Sequence, residues 1–333
     1  EISRSPVKLC LFVSLWLVMS VRFVEISSPG SLKLVKGTVV YRSADGLTNR
    51  TLALSDLEHI FVWSQSLSLT SAALCRCAEA GVVVTICNNC GYPTARFVPQ
   101  VSHSSHRDYL DKQVKLSISL KKLIWAEIVK AKMRNQQALL SNLARDSSWI
   151  DPLYPKVSAG DASNVEAQVA RRYWHQLFGD SFRRDRALPG INAGLNYGYA
   201  VIRSALVRAL TKVGLSPCIG VFHRQSRNAH PLADDLIEPL RPFVDSRVVN
   251  LRHDLDAEKL SKSTRREIAE VLLDMALFHD SRKKLSDTLI DFCVSFRNLL
   301  LGKRNEFSYP SIPETNAGGQ TSPTTRGLER CGC

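Results

Sequence analysis

The chain has 333 residues, which is enough for two domains of ordinary size, each with its own hydrophobic core. With 44% hydrophobic and 23% charged residues, 17 glycines and 14 prolines, the composition excludes a collagenous, a broadly disordered or a polytopic membrane protein. The 44 Lys and Arg residues outnumber the 31 Asp and Glu residues and leave a net charge of +13, which favours a polyanionic partner such as nucleic acid.

The N-terminal residues imitate part of a signal peptide. Leu9–Val18 is an apolar run interrupted by one serine, and it follows Arg4 and Lys8. The run is about half of the roughly 20 residues that a membrane span needs, and no small-x-small cleavage site follows it. We therefore expect residues 1–18 to be an upstream extension, with the first domain starting at Met19.

Residues 19–98 are predicted to form an N-terminal β domain. Short hydrophobic runs with turn residues between them are typical of strands. These runs are Leu32–Leu34, Val39–Tyr41, Leu52–Leu54, Ile60–Trp63 and Val82–Ile86. One helix is predicted over Ser71–Glu79, because Leu74, Cys75 and Ala78 share a helical face before Gly81.

Residues 99–304 are predicted to form a larger helical domain, which makes the fold class α+β. Apolar residues recur at helical spacing over Ile118–Leu143 without Gly or Pro. The further helix candidates are Asn164–Phe178, Tyr197–Val213, Leu232–Leu240, Arg265–Phe278 and Leu285–Leu301. Residues 305–333 are rich in Ser, Pro, Thr and Gly, and we expect a disordered tail.

Glu166 is the first candidate for chemistry, and spacing alone favours a structural role for it. It follows Ser163 by three residues, so the pair could form a capping box at the start of a helix. Arg171 and Arg172 lie behind it and suit either contact with phosphate or a solvated helix face.

A second group of polar residues surrounds a predicted short helix that begins at Pro231. His223 ends an apolar run, and Asp234, Asp235 and Glu238 follow within the helix. Either aspartate can share a helical face with Glu238, and spacing does not choose between them. Stabilisation of the helix dipole by the acids and a structural role for His223 are the alternatives.

Taken together, one histidine and two or three carboxylates without a cysteine form a hard donor set. Such a set suits Mg²⁺ or Mn²⁺ better than Zn²⁺. An ion of this kind polarises a phosphodiester and lowers the pKa of an attacking hydroxyl. In a basic chain, this combination indicates strand chemistry on DNA or RNA.

The cysteines offer a weaker metal site. Nine scattered cysteines indicate reduced thiols in a cytosol rather than a disulfide framework. Only nine residues separate the pair Cys75 and Cys77 from the pair Cys87 and Cys90, and the first pair falls on a predicted helix with its members facing different ways. We therefore do not favour a zinc site there.

Several ordered motifs resemble those of the CRISPR-associated integrase family, the adaptation endonuclease of CRISPR systems. The resemblance covers residues 19–303 and is strongest to the members that accompany single-protein effector nucleases of type II systems. It rests on the stretches Lys130–Gln136, Asn164–Gly179, Asn192–Arg203, Ile219–His223 and Leu232–Pro242.

The resemblance implies an N-terminal β-sandwich that dimerises and a helical catalytic domain that binds a metal. By motif position, Glu166, His223 and Glu238 are the implied ligands of Mg²⁺ or Mn²⁺, and Asp235 is an implied auxiliary acid. The family pattern thus overrides the capping-box interpretation of Glu166. The N-terminal extension and the tail lie outside the family pattern.

The implied function is the acquisition of new spacers. A dimer of dimers, bridged by the small CRISPR adaptation partner of this family, holds a duplex of foreign DNA, and each 3′-hydroxyl attacks a phosphodiester at the leader-repeat junction. Phosphate contacts would hold the DNA. The candidate residues for these contacts are Lys130, Lys132, Arg134, Arg171, Arg172, Arg183, Arg184 and Arg186.

Two other functions are compatible with the same residues. A catalytically silent DNA-binding scaffold would keep the fold and the charge without the chemistry. A general metal-dependent nuclease of DNA repair would cut branched DNA without a repeat sequence or a small partner protein.

Overall fold

The structure, a computed structural model, describes residues 23–88, 93–99, 103–223, 228–255, 260–304 and 307–314. Its N-terminal part consists of strands and one helix, and its C-terminal part is mostly helical, which confirms the α+β fold class. The predicted N-terminal extension, including Leu9–Val18, lies outside the described residues.

Two four-stranded sheets form the N-terminal region. Their strands are β1 (Phe23–Ile26), β2 (Gly30–Val35), β3 (Thr38–Ser43), β4 (Asn49–Leu52), β5 (His59–Val62), β6 (Leu67–Leu69), β7 (Val83–Cys87) and β8 (Pro93–Phe97), with helix α1 (Ser71–Glu79) between β6 and β7. One sheet has the order β1-β5-β7-β8 and the other β4-β3-β2-β6. Buried residues of both sheets and of α1 share one core, as in a sandwich.

The first sheet also packs against the helical region. Strand β5 is buried along its whole length and pairs in parallel with β1 and β7, as expected for a strand covered on both faces. Its Ile60 belongs to the sandwich core and its Phe61 to the core of the helical region.

Eight helices build the described part of the C-terminal region. They are α2 (His106–Val114), α3 (Ile118–Asn142), α4 (Val165–Phe178), α5 (Ile191–Lys212), α6 (Pro231–Leu236), α7 (Arg241–Asn250), α8 (Lys262–Ala269) and α9 (Leu285–Leu300). The long helices α3 and α5 pack against α7, and each carries more buried residues than any other described helix. No helix in these ranges is long and apolar enough to cross a membrane.

The predicted helix Arg265–Phe278 is wrong in its second half. Helix α8 ends at Ala269, a 3₁₀ turn follows, and strand β9 (Met275–Phe278) pairs with strand β10 (Ser281–Lys284). The two residues between the strands have φ angles of 46° and 59°, as a tight hairpin turn requires. His279 and Asp280 occupy this turn without glycine, so the sequence carried no hairpin signal. Helix α5 also begins earlier than predicted, at Ile191 instead of Tyr197.

The predicted disordered tail does not begin at residue 305. Residues 307–314 lie on the helical region, where Ser311 forms a β-bridge with Leu277 and Phe307 is buried. Asn135 of α3 donates to the carbonyl of Pro310 at 3.0 Å and accepts from the backbone N–H of Ile312 at 3.0 Å. Buried amide groups of α3 thus hold this stretch, and the remainder of the predicted tail lies outside the described residues.

Candidate active site

A buried lysine joins two carboxylates that come from different parts of the chain. Nζ of Lys132, on α3, lies 2.5 Å from Oε1 of Glu166 at the start of α4 and 2.7 Å from Oε2 of Glu238, which follows α6. The side chains of Lys132, Glu166 and Glu238 are 11%, 27% and 6% exposed. The three charges therefore interact with little screening by solvent.

The start of α4 frees Glu166 for this contact. The carboxylate of Asp161 accepts hydrogen bonds from the backbone N–H groups of Val165 at 2.9 Å and Glu166 at 3.0 Å. The predicted capping box with Ser163 is therefore wrong, because Asp161 satisfies the N–H groups at this helix end and the Glu166 carboxylate reaches Lys132 instead. An acidic residue just before the helix was the sequence signal for this cap.

Glu238 is buried but paired on both of its oxygens. Nε of Arg241 lies 2.9 Å from Oε1, while Lys132 occupies Oε2. Burial alone would raise the pKa of Glu238, but the charges of Arg241 and Lys132 outweigh it and lower the pKa to about 2. Glu238 is therefore a carboxylate at neutral pH. The carboxylates of Glu166 and Glu238 keep the pKa of Lys132 above its usual value despite burial.

His223 is oriented by Asp235. Nδ1 of His223 lies 2.8 Å from Oδ1 of Asp235, which also accepts from the His223 backbone N–H at 3.0 Å. Oδ2 of Asp235 accepts from the backbone N–H groups of Val221 at 2.5 Å and Phe222 at 3.1 Å. The hydrogen bond to Asp235 raises the pKa of His223. One fully buried carboxylate thus holds the whole 221–223 turn.

Aromatic packing and a glycine fix the position of this turn. The ring of Phe222 stacks on Trp125 of α3 with centroids 4.0 Å apart, and His223 meets Trp125 edge-on at 5.7 Å. A Cβ atom on Gly220 would lie 2.7 Å from the His223 carbonyl oxygen and 3.0 Å from Oδ2 of Asp235. Only glycine fits this close approach of the turn to Asp235.

A second buried carboxylate lies behind the site. Asp245 of α7 accepts from the hydroxyl of Tyr173 at 2.7 Å and from the hydroxyl of Tyr199. Burial raises the pKa of Asp245 to about 6. The guanidinium of Arg241 lies over the Tyr199 ring, 4.5 Å from its centroid. This network fixes Arg241, which in turn holds Glu238.

The structure separates the two aspartates that spacing left as alternatives. Asp234 forms an ion pair with Nε of Arg203 at 2.5 Å and accepts from the side chain of Asn228 at 2.7 Å. Asp235 is the aspartate that contacts the candidate ligand His223.

Of the cysteines considered for a zinc site, Cys77 and Cys87 are buried thiols, and Cys90 lies outside the described residues.

The three candidate metal ligands are only partly brought together. Glu166 and Glu238 meet at one cation, and the charge of His223 contributes to lowering the pKa of Glu238. Within the described ranges, no group of three or more His, Cys, Asp or Glu is arranged closely enough to hold a metal ion. The donor types still fit a hard divalent cation. Glu166 and Glu238 already hold the Lys132 ammonium, and because Asp235 contacts Nδ1 of His223, its Nε2 can serve as a ligand.

The predicted DNA-contacting residues have different surroundings. Lys132 is buried in the site, so its prediction as a surface contact is wrong. Lys130 pairs with Glu127, Arg134 donates to the Tyr309 hydroxyl, and Arg184 donates to Asn192 and Asn196. Arg172 stacks on Trp149 with its guanidinium 4.5 Å from the ring centroid. Five candidates are exposed on the surface: Arg134, Arg171, Arg172, Arg183 and Arg186.

Sequence reasoning missed three contributors to the site. Lys132 carried only a basic-surface signal, because Lys130 and Arg134 flank it in the sequence. Arg241 follows Glu238 by three residues, which is the spacing of an ion pair on a helix. Nothing in the sequence alone indicated that Phe222 would stack on Trp125.

Comparison with known proteins gives consistent matches along most of the chain. The profile of the family described as "CRISPR associated protein Cas1" matches residues 24–287. A CRISPR-associated endonuclease Cas1 of Neisseria meningitidis serogroup C (strain 8013) is 34% identical over 235 residues, which cover 70% of this chain and 76% of that protein.

Two solved structures have a similar fold. A casposase bound to an integration product matches with a TM-score of 0.77 at 19% identity, over 90% of this chain and 96% of the other. A Cas6-RT-Cas1–Cas2 complex matches with a TM-score of 0.69 at 17% identity, over 87% of this chain and 36% of the other.

Proposed function

This chain belongs to the CRISPR-associated Cas1 family, and on that premise we propose that it is a metal-dependent DNA endonuclease and integrase of CRISPR adaptation. It inserts short foreign duplexes as new spacers at the leader-repeat junction. The observation that carries the proposal is that Glu166 and Glu238 meet at the Lys132 ammonium. Asp235 orients the imidazole of His223. Two carboxylates and an imidazole form a hard donor set suited to phosphodiester chemistry.

Glu166, His223 and Glu238 are the proposed ligands of Mg²⁺ or Mn²⁺. The bound ion would supply Lewis-acid stabilisation of the charge that develops on the reacting phosphate. Asp235 orients the imidazole through Nδ1 and leaves Nε2 for coordination. Arg241 holds one oxygen of Glu238 and keeps this acid ionised inside the protein.

The proposed reaction is a transesterification, in which one phosphorus–oxygen bond forms and one breaks. The 3′-oxygen of the incoming strand forms a new bond to phosphorus, and the bond from that phosphorus to the 3′-oxygen of the target strand breaks. The attacking hydroxyl loses a proton, and the departing oxygen gains one. The protein's part is to hold both strands in line at the site, which is a large share of the acceleration in such reactions.

Double-stranded DNA is the proposed partner, bound through phosphate contacts on the helical region. The exposed residues Arg171, Arg183 and Arg186 are the strongest candidates for these contacts, because other predicted arginines and lysines already have partners within the protein. A fold shared with a casposase bound to an integration product supports this partner. The chemistry on cellular DNA implies that the chain acts in the cytoplasm.

We further propose a homodimer that assembles with the small partner Cas2. The shared fold with the Cas6-RT-Cas1–Cas2 complex supports the second part of this assembly. Four large hydrophobic side chains of the N-terminal region are exposed, Leu34, Val35, Leu47 and Phe97, and exposed apolar residues of this kind suit a protein interface.

The experiment that tests this function is strand transfer on a branched DNA that reports the reverse of integration. Purified protein is assayed with Mn²⁺ or with EDTA, and Glu238→Gln is compared with Glu267→Gln, an exposed acid on α8. Metal-dependent rejoining by the wild type and Glu267→Gln, and its loss in Glu238→Gln, is the expected result. Equal rejoining by Glu238→Gln and the wild type would contradict the proposal. Dependence of the reaction on a repeat sequence separates an integrase from a repair nuclease.

A further inference from the structure

The charges around Lys132 balance without any added ion. Glu166 and Glu238 are the two acids, and Lys132 and Arg241 are the two bases in direct contact with them. Asp235 is not available to this group, because its oxygens are taken by His223 and by the backbone N–H groups of residues 221–223. These four groups in direct contact are therefore neutral as a set, and Asp245 lies behind them at Tyr173 and Tyr199.

The Lys132 ammonium occupies the position where a shared cation would lie. Its Nζ contacts Oε1 of Glu166 and Oε2 of Glu238 at hydrogen-bond distance. A divalent ion that bridged the same two oxygens would overlap with the ammonium and would also be repelled by it. The Lys132 ammonium and a divalent ion therefore cannot bind this pair of oxygens at the same time.

Of the two bases, Lys132 is the one that can leave. The Arg241 guanidinium is fixed by Glu238 on one side and by the Tyr199 ring on another. Lys132 instead has a flexible four-carbon stem and a compact ammonium. Glu166, its first partner, is also the most exposed of the three side chains, so this side of the group has the least packing to restrain it.

We propose that Lys132 is the resident counter-cation of the metal site: it holds Glu166 and Glu238 together before metal binds, and it competes with the divalent ion for their oxygens. This inference rests on the proposed function, since it assigns a role to Lys132 at the metal site named there. Lys132 is a positioning residue in the metal-free protein. Its displacement lowers the metal affinity of the site, because part of the binding free energy is spent on breaking two ion pairs.

The test is Mn²⁺ binding to the full chain without DNA, measured by calorimetry and by the electron paramagnetic resonance signal of free Mn²⁺. Lys132→Met removes the ammonium while keeping a long side chain for this buried position. We expect Lys132→Met to bind Mn²⁺ about tenfold more tightly than the wild type, because the competing cation is gone. The matched control is Lys130→Met, which removes an ammonium from the same helix that pairs with Glu127 instead. It should bind Mn²⁺ like the wild type.

Thermal unfolding gives a second readout that does not depend on activity. Without metal, Lys132→Met should melt at a lower temperature than the wild type, because two acids then face each other with one base removed. Added Mn²⁺ should raise its melting temperature by more than it raises that of the wild type. Lys132→Gln, which is also uncharged but can donate to one acid, provides the same comparison if Lys132→Met does not fold.

The outcomes separate this inference from the proposed function. If the wild type binds Mn²⁺, Glu238→Gln does not, and neither Lys132 variant binds more tightly than the wild type, then the competition is overturned while the metal site stands. If neither the wild type nor the Lys132 variants bind Mn²⁺, then the metal site fails and the inference fails with it. Tighter binding in the Lys132 variants alone supports both.

Discussion

Asp235 holds His223 through two atoms of the same residue: Oδ1 of Asp235 lies 2.8 Å from Nδ1 and 3.0 Å from the backbone nitrogen of His223. A carboxylate can only accept hydrogen bonds, so Nδ1 carries the proton and Nε2 is the nitrogen left for a ligand. The contact therefore sets both the tautomer and the direction of the imidazole.

Loss of the Asp235 charge should weaken metal binding and catalysis without unfolding the chain. We expect Asp235→Asn to reduce Mn²⁺ affinity and strand transfer by about 10- to 100-fold, as for other residues that orient a metal-binding histidine. Calorimetry and the branched-DNA assay measure the two effects. Asp291→Asn, an exposed acid on α9, is the control. Wild-type Mn²⁺ affinity in Asp235→Asn would contradict this role.

Two glycines one helical turn apart on α5 should respond differently to alanine. A Cβ on Gly198 would lie 2.3 Å from Cγ1 of Val244 and 2.9 Å from Cγ2 of Ile268, whereas on Gly194 the nearest atom would be 3.3 Å away. Gly198→Ala should lower the free energy of unfolding by about 1–3 kcal/mol through overpacking.

The matched variant Gly194→Ala should leave stability unchanged or raise it by up to about 1 kcal/mol, because alanine favours a helix more than glycine does. Denaturant unfolding of both variants measures the difference. Equal stability of the two variants would show that close packing at Gly198 does not limit the side chain there.

His59 should make the protein less stable in acid. It is fully buried on β5 with Nε2 2.7 Å from Oγ1 of Thr85, and burial, together with Arg96 and Arg208, lowers its pKa to about 3. Between this value and the ordinary pKa of about 6.5, only the unfolded chain takes up the proton. The stability contribution of neutral His59 is therefore complete above the unfolded pKa and is lost as the pH falls.

The expected slope from this one group is about 1.4 kcal/mol of unfolding free energy per pH unit within that window. Denaturant midpoints measured across the window should fall less steeply for His59→Gln than for the wild type. His175→Gln is the control, because this histidine is 45% exposed. Parallel curves for His59→Gln and the wild type would rule out His59 as the source of the acid sensitivity.

Arg171 should contribute to DNA affinity through charge alone. It is exposed on α4, and one lost phosphate contact reduces the slope of log affinity against log salt by about 0.9. Arg171→Ala should weaken binding to duplexes of any sequence, as measured by fluorescence anisotropy at several salt concentrations. Arg76→Ala, which breaks an exposed pair with Glu79 in the N-terminal region, is the control. An unchanged salt slope in Arg171→Ala would exclude this contact.

The sequence predicted the elements better than it predicted their contacts. Period and composition were sufficient for β2, β3, β5, β7 and α3, because these patterns follow directly from burial. The strands β1, β6 and β8 were not predicted, and the predicted run Leu52–Leu54 overlaps β4 only at Leu52. Period and composition were insufficient at β9 and β10, where Met275–Leu277 are good helix formers and β9 becomes a strand only through pairing with Ser281–Lys284. Tertiary pairing overrides local propensity in such short segments.

In the site, too, local sequence pattern predicted some residues, while their contacts depend on the tertiary fold. Spacing indicated that an aspartate accompanies Glu238, but only the fold distinguishes Asp235, on His223, from Asp234, on Arg203. Glu166 and Glu238 are 72 positions apart in the chain, and no local pattern brings them together. Lys132 shows the limit most clearly, since a lysine in a basic sequence suggests a surface residue and its burial depends on three separate elements.

The most direct test of the proposed metal site is the position of Mn²⁺ in crystals of the full chain, located by anomalous scattering. We expect one strong peak in contact with Glu166, His223 and Glu238, with the Lys132 ammonium moved away from the two acids. A peak bound elsewhere, with Lys132 still bridging Glu166 and Glu238, would contradict it.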